Sequence, residues 1–388
     1  MDSVSLQRTV FDEDHDVFRQ TARAFAEREV APHLERWAEQ GHVDRGVYRR
    51  AGELGLLGIS AEEEYNGGGI DDFRFNAVLI EELARVGATS VAMNLSGFND
   101  LVAPYLVSLA DDGQKRRWLA PLCSGEIISA IAMTEPGAGS DLASITTTAT
   151  ADGGDLVLNG AKTFISNGMV ADVFLVVVRT DPAAGRRGMS LVLVDADTPG
   201  FTRNGPLRKI GLSAQDTAEL VFDDARVPRA NVLGVENAGF GYLRHNLSQE
   251  RLSVAVTAMA AMRRTFEQAL SHSCDRTAFG RRIADFQANR FYLAELATEI
   301  EIAQVFVDRC VLDASTGDLD EANAAMAKWW VTELQQKVVQ RCLQLHGGYG
   351  FMKEYDVARD YLDCRGGTLY AGTTEVMKEI IGRRLTRQ

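Results

Sequence analysis

The apolar residues of this 388-residue chain keep two rhythms, helical at both ends and strand-like between. From residue 11 to about 120, Val17, Phe18, Ala22, Phe25 and Ala26 return at intervals of about 3.6 residues, and Pro32 marks a helix boundary. Glycines break the run from Glu53 to Ile59, and Asn66-Gly67-Gly68-Gly69 predicts a loop. Phe75 to Val86 predicts a helix with Glu81 and Glu82 facing outward, and Glu62-Glu63-Glu64 reads as solvated surface. From Ile127 to about Pro228 the runs are short and β-branched or apolar: Thr146 to Thr150, Leu156 to Leu158, Val173 to Val178 and Met189 to Val194. Asp152-Gly153-Gly154, Asn159-Gly160, Asp181-Pro182 and Thr198-Pro199-Gly200 separate them as turns, and Asp223 to Pro228 reads as the exit from a small β-barrel or sandwich.

From Gly239 the helical spacing returns. Leu243, Leu247, Val254 and Ala258 mark one helix, and Phe291, Leu293, Leu296, Ile300 and Ile302 a second. Ala324 to Leu345 marks a third and Glu375 to Leu385 a last, with Gly317 and Gly347-Gly348 as breaks. The predicted fold class is α+β. An N-terminal all-α domain (1–123) is followed by a small middle β-barrel or sandwich domain (124–235) and a C-terminal antiparallel four-helix bundle (236–388).

Composition narrows the partners. Hydrophobic content of 46% and charged content of 24% are ordinary for a globular core. A net charge of −13 argues against nucleic acid or an anionic membrane as partner, and any anionic ligand needs a locally basic site. The five cysteines (Cys123, Cys274, Cys310, Cys342, Cys364) form no CxxC pair and suit buried free thiols in a reducing compartment. Met1 to Val10 has no basic-then-apolar signal pattern, and no apolar run approaches the roughly 18 residues of a membrane span. A cytoplasmic protein is the expectation.

The chemistry-bearing stretches are five loops or helix ends and one helix interior. Met133-Thr134-Glu135-Pro136-Gly137-Ala138-Gly139-Ser140-Asp141 combines glycines, which let main chain approach a ligand, with hydroxyls that donate and accept. On its own such a cluster is a surface turn. Neither Gly137-Ala138-Gly139 nor Gly239-Phe240-Gly241 completes a G-x-G-x-x-G, so a dinucleotide would bind outside a Rossmann fold. Lys162 to Gly168 reads as a strand running into an Asn-Gly turn, and Arg276 to Gly280 as a basic, aromatic helix end followed by Asp285-Phe286-Gln287. Gln344 to Gly350 reads as a helix cap on two glycines, and His346 has no second His or Cys at metal-ligand spacing. Tyr370 to Glu375 and Leu247 to Leu252 complete the set. Taken alone, Glu250 beside Arg251 is a surface ion pair.

Together these stretches resemble the acyl-CoA dehydrogenases over essentially the whole chain. The resemblance implies their three-part fold, with FAD between the β-domain and the bundle. It implies that Met133, Thr134, Gly139 and Ser140 contact FAD, and that Phe164 and Ser166 lie against the flavin ring. Members often carry tryptophan where Phe164 stands. Arg276 would pair with the pyrophosphate, for which a planar cation is well shaped, and Phe279 and Gln287 would touch other parts of the cofactor. Ala278 lacks a hydroxyl that many members have. Gln344, Gly347 and Gly348 would complete a neighbouring subunit's site, which implies a homo-oligomer, a homotetramer in the family. Thr373 and Glu375 match positions that reach the flavin. Ser140, Arg251, Tyr370 and Gly372 would line the acyl-CoA.

Many members hold their catalytic glutamate where Ala371 stands, and an alanine cannot accept a proton. The long-chain and isovaleryl branches instead place the base where Glu250 stands, with a small residue at the other position. Both halves of that exchange are present here. The resemblance therefore implies Glu250 as general base and the Ala371 backbone N–H, with a flavin ribityl hydroxyl, as donors to the thioester oxygen. The implied reaction is α,β-dehydrogenation of an acyl-CoA to the trans-2-enoyl-CoA, in fatty-acid β-oxidation or branched-chain catabolism, with electron-transferring flavoprotein as acceptor. A flavin-dependent oxidase, an acyl-carrier-protein substrate and a non-catalytic member stay open at this point.

Overall fold

The computed structural model describes residues 6–386, so the first half of the Met1 to Val10 stretch read for a signal pattern lies outside the described residues. The N-terminal part consists of α1 (Glu13–Phe25), α2 (Leu34–Gln40), α3 (Arg45–Glu53), α4 (Phe73–Arg85), α5 (Thr89–Ser96), α6 (Ala103–Leu109), α7 (Asp112–Gln114) and α8 (Ala120–Cys123). Pro32 falls in a 3-10 turn between α1 and α2, as the spacing predicts. Between α5 and α6 the chain widens into a π-helical segment, Gly97–Val102. α4 starts on Asp72, whose side chain accepts the Arg74 N–H at 2.9 Å and so satisfies one free donor of the first turn.

α4 serves two cores. Leu79 and Leu83 join the core that runs through the N-terminal helices into the sheet, while Phe73, Ala77 and Ile80 join the core of the C-terminal bundle. The outward placement of Glu81 and Glu82 is corrected here. Glu82 is buried, with Arg19 Nη1, Arg23 Nε and Arg85 Nε donating to its carboxylate at 3.0, 2.9 and 3.0 Å. Glu81 is mostly covered and pairs with Arg8 and Arg19 at 2.8 Å. Helix α1 lies on that face of α4 and brings Arg19 and Arg23.

The middle part is an eight-stranded sheet: β1 (Ser129–Ala132), β2 (Thr148–Asp152), β3 (Asp155–Ser166), β4 (Val173–Arg179), β5 (Met189–Asp195), β6 (Phe201–Asn204), β7 (Thr217–Pro228) and β8 (Val232–Leu233). The order is β6-β7-β3-β2-β4-β5-β8, with β1 added to β4. β4 meets β2 only at Arg179 and runs parallel to β1 along Val173 to Val176, so the sheet forks there. Two sequence expectations change. Asp223 to Pro228 is not an exit but the second half of β7, paired to β3 down to Asp155–Pro228. Asn159-Gly160 is not a turn: it lies inside β3, where the register shifts between Leu158 and Gly160. Gly160, at φ 146°, fits because a Cβ there would come within 2.5 Å of Thr147 Oγ1.

The C-terminal part is α9 (Gly239–Asp275), a small hairpin of β9 (Thr277–Ala278) and β10 (Arg281–Arg282), α10 (Gln287–Ser315), α11 (Glu321–His346), α12 (Asp356–Asp363) and α13 (Thr374–Thr386). Asp320 caps α11 through the Ala322 N–H at 2.8 Å. The bundle core is apolar: Leu252, Val256, Met259 and Met262 of α9 pack with Ile300 and Val307 of α10 and Val331 and Val338 of α11. All five cysteines are free thiols, and all but the half-buried Cys274 are buried. No described helix is long and apolar enough to cross a membrane.

Candidate active site

One part of the candidate site is the C-terminal end of β3. The loop that follows β1 lies alongside β3: the Thr163 N–H donates to the Thr134 carbonyl at 2.9 Å, and Lys162 Nζ to the Met133 carbonyl at 3.0 Å. Lys162 also meets Glu135 Oε1 at 2.8 Å, and both side chains are buried. The Glu135 carboxylate further accepts the Thr146 and Thr147 N–H groups at 2.6 and 3.0 Å and the Thr146 hydroxyl at 2.8 Å. Burial alone would raise the Glu135 pKa, but these donors together outweigh it and hold the carboxyl at about 2. Burial pushes the Lys162 ammonium down to about 8 against the pull of Glu135.

A second register shift in β3, between Lys162 and Ile165, sets Phe164 apart. Its φ is 59° and it is 69% exposed, while Thr163 and Ile165 on either side are buried. A bulge re-aims a side chain in this way, and holding a phenylalanine in the left-handed region costs on the order of 1–3 kcal/mol. The chain thus spends strain to present a bare aromatic face. Ser140 and Ser166 are exposed beside these segments, and Met133 and Thr134 are half-buried.

The second part is the seam between the N-terminal helices and α9. Glu250 is 3% exposed, and the Tyr105 hydroxyl of α6 donates to its Oε1 at 3.4 Å. Burial raises the Glu250 carboxyl to about 7. Arg251 and Tyr105 pull the other way, and the charge of Asp100 adds to the rise. The reading of Glu250 and Arg251 as a surface ion pair fails: Arg251 is 5% exposed and its Nη1 reaches Glu321 at 3.4 Å. Asp100, on the π-helical segment, is also buried. It accepts from Asn76 and Ser253, and from Gln249 Nε2 at 3.2 Å, so it grips α9 on both sides of Glu250. Burial raises Asp100 to about 7 against these donors.

The segment before α13 carries the last group, in chain order, of residues singled out from the sequence. Tyr370 is half-buried, with its hydroxyl 3.5 Å from Met93 Sδ. Ala371 has φ 53° and Gly372 φ 92°; a Cβ on Gly372 would meet Met377 Cε at 2.6 Å. Thr373 Oγ1 accepts the Val376 N–H at 3.4 Å, and Glu375 is exposed.

The remaining residues singled out from the sequence lie elsewhere. Arg276 follows the last residue of α9, roughly 40 Å of helix from Glu250 at 1.5 Å per residue. There Arg276, Gly347 and Gly348 line a cavity of about 410 Å³ with His272, His346 and Tyr349. The Arg276 guanidinium sits 5.8 Å from the Tyr349 ring centre, and the imidazoles of His272 and His346 stack at 4.3 Å. Gln344, Phe279 (97% exposed) and Gln287 are on the same end. No cluster of three or more metal-ligating side chains occurs among the described residues. Arg276, Gly347 and Gly348 thus come together at the C-terminal end of α9, away from Glu250 nearer its start. Tyr105, Asp100, Glu135 and Lys162 were not singled out as site residues from the sequence. Asp100, a lone carboxylate flanked by Phe98 and by Leu101-Val102, carried the one signal that could have found a member of this group.

Matches to known families cover each part. The acyl-CoA dehydrogenase N-terminal domain matches residues 12–126, the middle domain 130–225 and the C-terminal domain 237–386. The chain belongs to the acyl-CoA dehydrogenase family. It is 43% identical over 380 residues to the mitochondrial long-chain specific acyl-CoA dehydrogenase of Sus scrofa, covering 97% of this chain and 88% of the relative. The crystal structure of an acyl-CoA dehydrogenase from Geobacillus kaustophilus matches at 46% identity and a TM-score of 0.95, covering 98% of this chain and 100% of that one. A glutaryl-CoA dehydrogenase from Mycobacterium smegmatis, solved in complex with FADH2, matches at 28% identity and a TM-score of 0.90, covering 97% and 95%. As a member of this family the protein is an FAD-dependent oxidoreductase of the acyl-CoA dehydrogenase type. The residues fit that cofactor: Phe164 offers an aromatic face to a flat ring, and Arg276 with the open backbone of Gly347 and Gly348 offers a cationic cradle to a phosphate.

Proposed function

We propose that the protein removes two hydrogens across Cα–Cβ of an acyl-CoA thioester, with Glu250 as the base. The observation that carries this reading is a pair: a carboxyl on α9 closed off from solvent and raised to about 7, and an alanine with a left-handed backbone at the position where many members of the family carry their glutamate. An acid held near neutrality can be deprotonated at rest and still take a weakly acidic α-proton. The Ala371 N–H makes no backbone hydrogen bond among the described residues and is free to donate to the thioester oxygen. That donor stabilises enolate-like charge as the proton leaves, and it needs no side chain. Bound FAD supplies the hydride acceptor for the β-hydrogen. Met133, Thr134, Gly139, Ser140, Phe164, Ser166, Thr373 and Glu375 would hold it on one chain, and Ser140, Arg251, Tyr370 and Gly372 would border the acyl-CoA.

Arg276, Phe279, Gln287, Gln344, Gly347 and Gly348 stand at the other end of α9, which supports their acting on a neighbouring subunit's cofactor in a homotetramer. The likeness to the long-chain enzyme supports a long-chain substrate and a role in fatty-acid β-oxidation, and the family resemblance supports electron-transferring flavoprotein as acceptor in the cytoplasm. The test is anaerobic mixing of the yellow holoenzyme with acyl-CoAs from butyryl to stearoyl, followed by loss of oxidised-flavin absorbance. Bleaching by long acyl-CoAs in the wild type and none in Glu250→Gln is the expected result. Equal bleaching by both proteins would overturn the assignment of the base.

A further inference from the structure

Lys328, on α11, is 0% exposed, and its Nζ donates to the carbonyl of Gly372 at 2.6 Å. Among the described residues it forms no salt bridge; the charges that reach it are Arg251 of α9, Glu333 of its own helix and Glu375 of α13. Arg251 is a second buried cation, and its Nε has no partner. Burying an ammonium without a carboxylate in contact is costly, and an apolar side chain of the same length would fill the space without that penalty. The return must lie in what the ammonium touches.

What it touches is the segment that carries Ala371. On the N-terminal side that segment is tied down by the Tyr370 N–H on the Gly366 carbonyl at 3.2 Å and by the Tyr370 hydroxyl on Met93. On the C-terminal side the Lys328 grip on Gly372 is the matching tie. Between them Ala371 stays at φ 53°, in a region that alanine avoids without outside support. Gly372 itself has φ 92°, a backbone region that residues with a side chain rarely adopt, so the segment has positive φ at two successive positions.

We propose that Lys328 is a positioning residue: its ammonium holds the Gly372 carbonyl, and through it keeps the Ala371 N–H aimed at the thioester oxygen. The proposal rests on the dehydrogenase reading for what that N–H does, but not for the grip itself. Lys328 thus acts on the chemistry from a different helix than the base, through main chain alone.

The test uses the holoenzyme with Lys328→Met, which keeps length and burial, and Lys328→Arg, which restores a donor. Lys328→Met should lower kcat on the best acyl-CoA about tenfold to a hundredfold, the range expected when a donor is misplaced by an ångström, while KM stays within about twofold and flavin content stays full. Amide exchange read by mass spectrometry over residues 370–373 should speed up in Lys328→Met and recover in part in Lys328→Arg. Wild-type exchange together with wild-type kcat in Lys328→Met would overturn the proposal. A wild type that turns over no acyl-CoA would instead sink the dehydrogenase reading, and the exchange measurement would still decide whether Lys328 holds the segment.

Discussion

The Tyr105 hydroxyl donates to Glu250 Oε1 across 3.4 Å of a seam closed to solvent. The contact joins a helix of the N-terminal part to the long helix of the bundle, so the proposed base is held by both. It also gives the carboxylate a donor once the proton has gone. Replacing Glu250 by glutamine keeps the shape and the Tyr105 contact but removes proton acceptance. The expected loss in kcat is about 10²–10⁴-fold, with flavin content and melting temperature close to wild type, read from steady-state kinetics and absorbance.

Glu250 sits at about 7, so kcat/KM should rise with pH through that value rather than through the ordinary carboxylate range. Its neighbours shift this limb in opposite directions. The Asp100 charge raises Glu250, so Asp100→Asn moves the limb to lower pH. The Tyr105 hydrogen bond lowers it, so Tyr105→Phe moves the limb to higher pH. A pH–rate profile of the two variants checks both signs, and a common direction would contradict the arrangement.

The same two carboxyls should leave a mark on stability. Asp100 and Glu250 keep their protons up to about pH 7 when folded, whereas an unfolded chain releases them near about pH 4. Across that window the native state binds more protons than the unfolded one, so this contribution is full on the acid side and is lost as pH rises. The urea midpoint of the wild type should fall more between about pH 5 and about pH 8 than that of the Asp100→Asn, Glu250→Gln double variant.

Glu135 and Lys162 bind the Met133 to Ser140 loop, proposed to hold the cofactor, to β3 from inside. Removing one partner leaves the other buried and alone, a loss of about 3–5 kcal/mol. Glu135→Gln should melt earlier and purify with less flavin per chain, because the Met133 to Ser140 loop loses its anchor. Lys162→Met added to Glu135→Gln should recover part of the melting temperature by removing the stranded cation.

Much of this was legible in the chain itself, and the exceptions share a cause. The three long bundle helices α9, α10 and α11 follow from apolar spacing because each buries apolar residues along its length. β7 was shortened to an exit because Asp223, Asp224 and Arg226 interrupt its apolar alternation, although Phe222, Ala225 and Val227 are buried. Glu82 looked like a surface residue because nothing local announces three arginines arriving from other turns and another helix. Asp100, Lys162 and Lys328 are the same problem in its sharpest form. A charge in a sequence reads as exposed, and its burial becomes visible only when its partners, 24 to 153 positions away, are brought to it. The proposed base could be picked out from the sequence through two traces: a carboxylate in one place and a methyl group in another.

Helix α9 bears Glu250 near its start and delivers Arg276 just beyond its end. In the proposed assembly those two residues serve different catalytic centres, so a lesion at either end spoils a different one. An organism carrying Glu250→Gln on one allele and Arg276→Ala on the other would assemble mixed oligomers. In some of them a sound glutamate from one parent chain faces a sound arginine from the other. Two alleles that are each inactive alone would then complement, and the recovered activity would count the centres built across a subunit boundary.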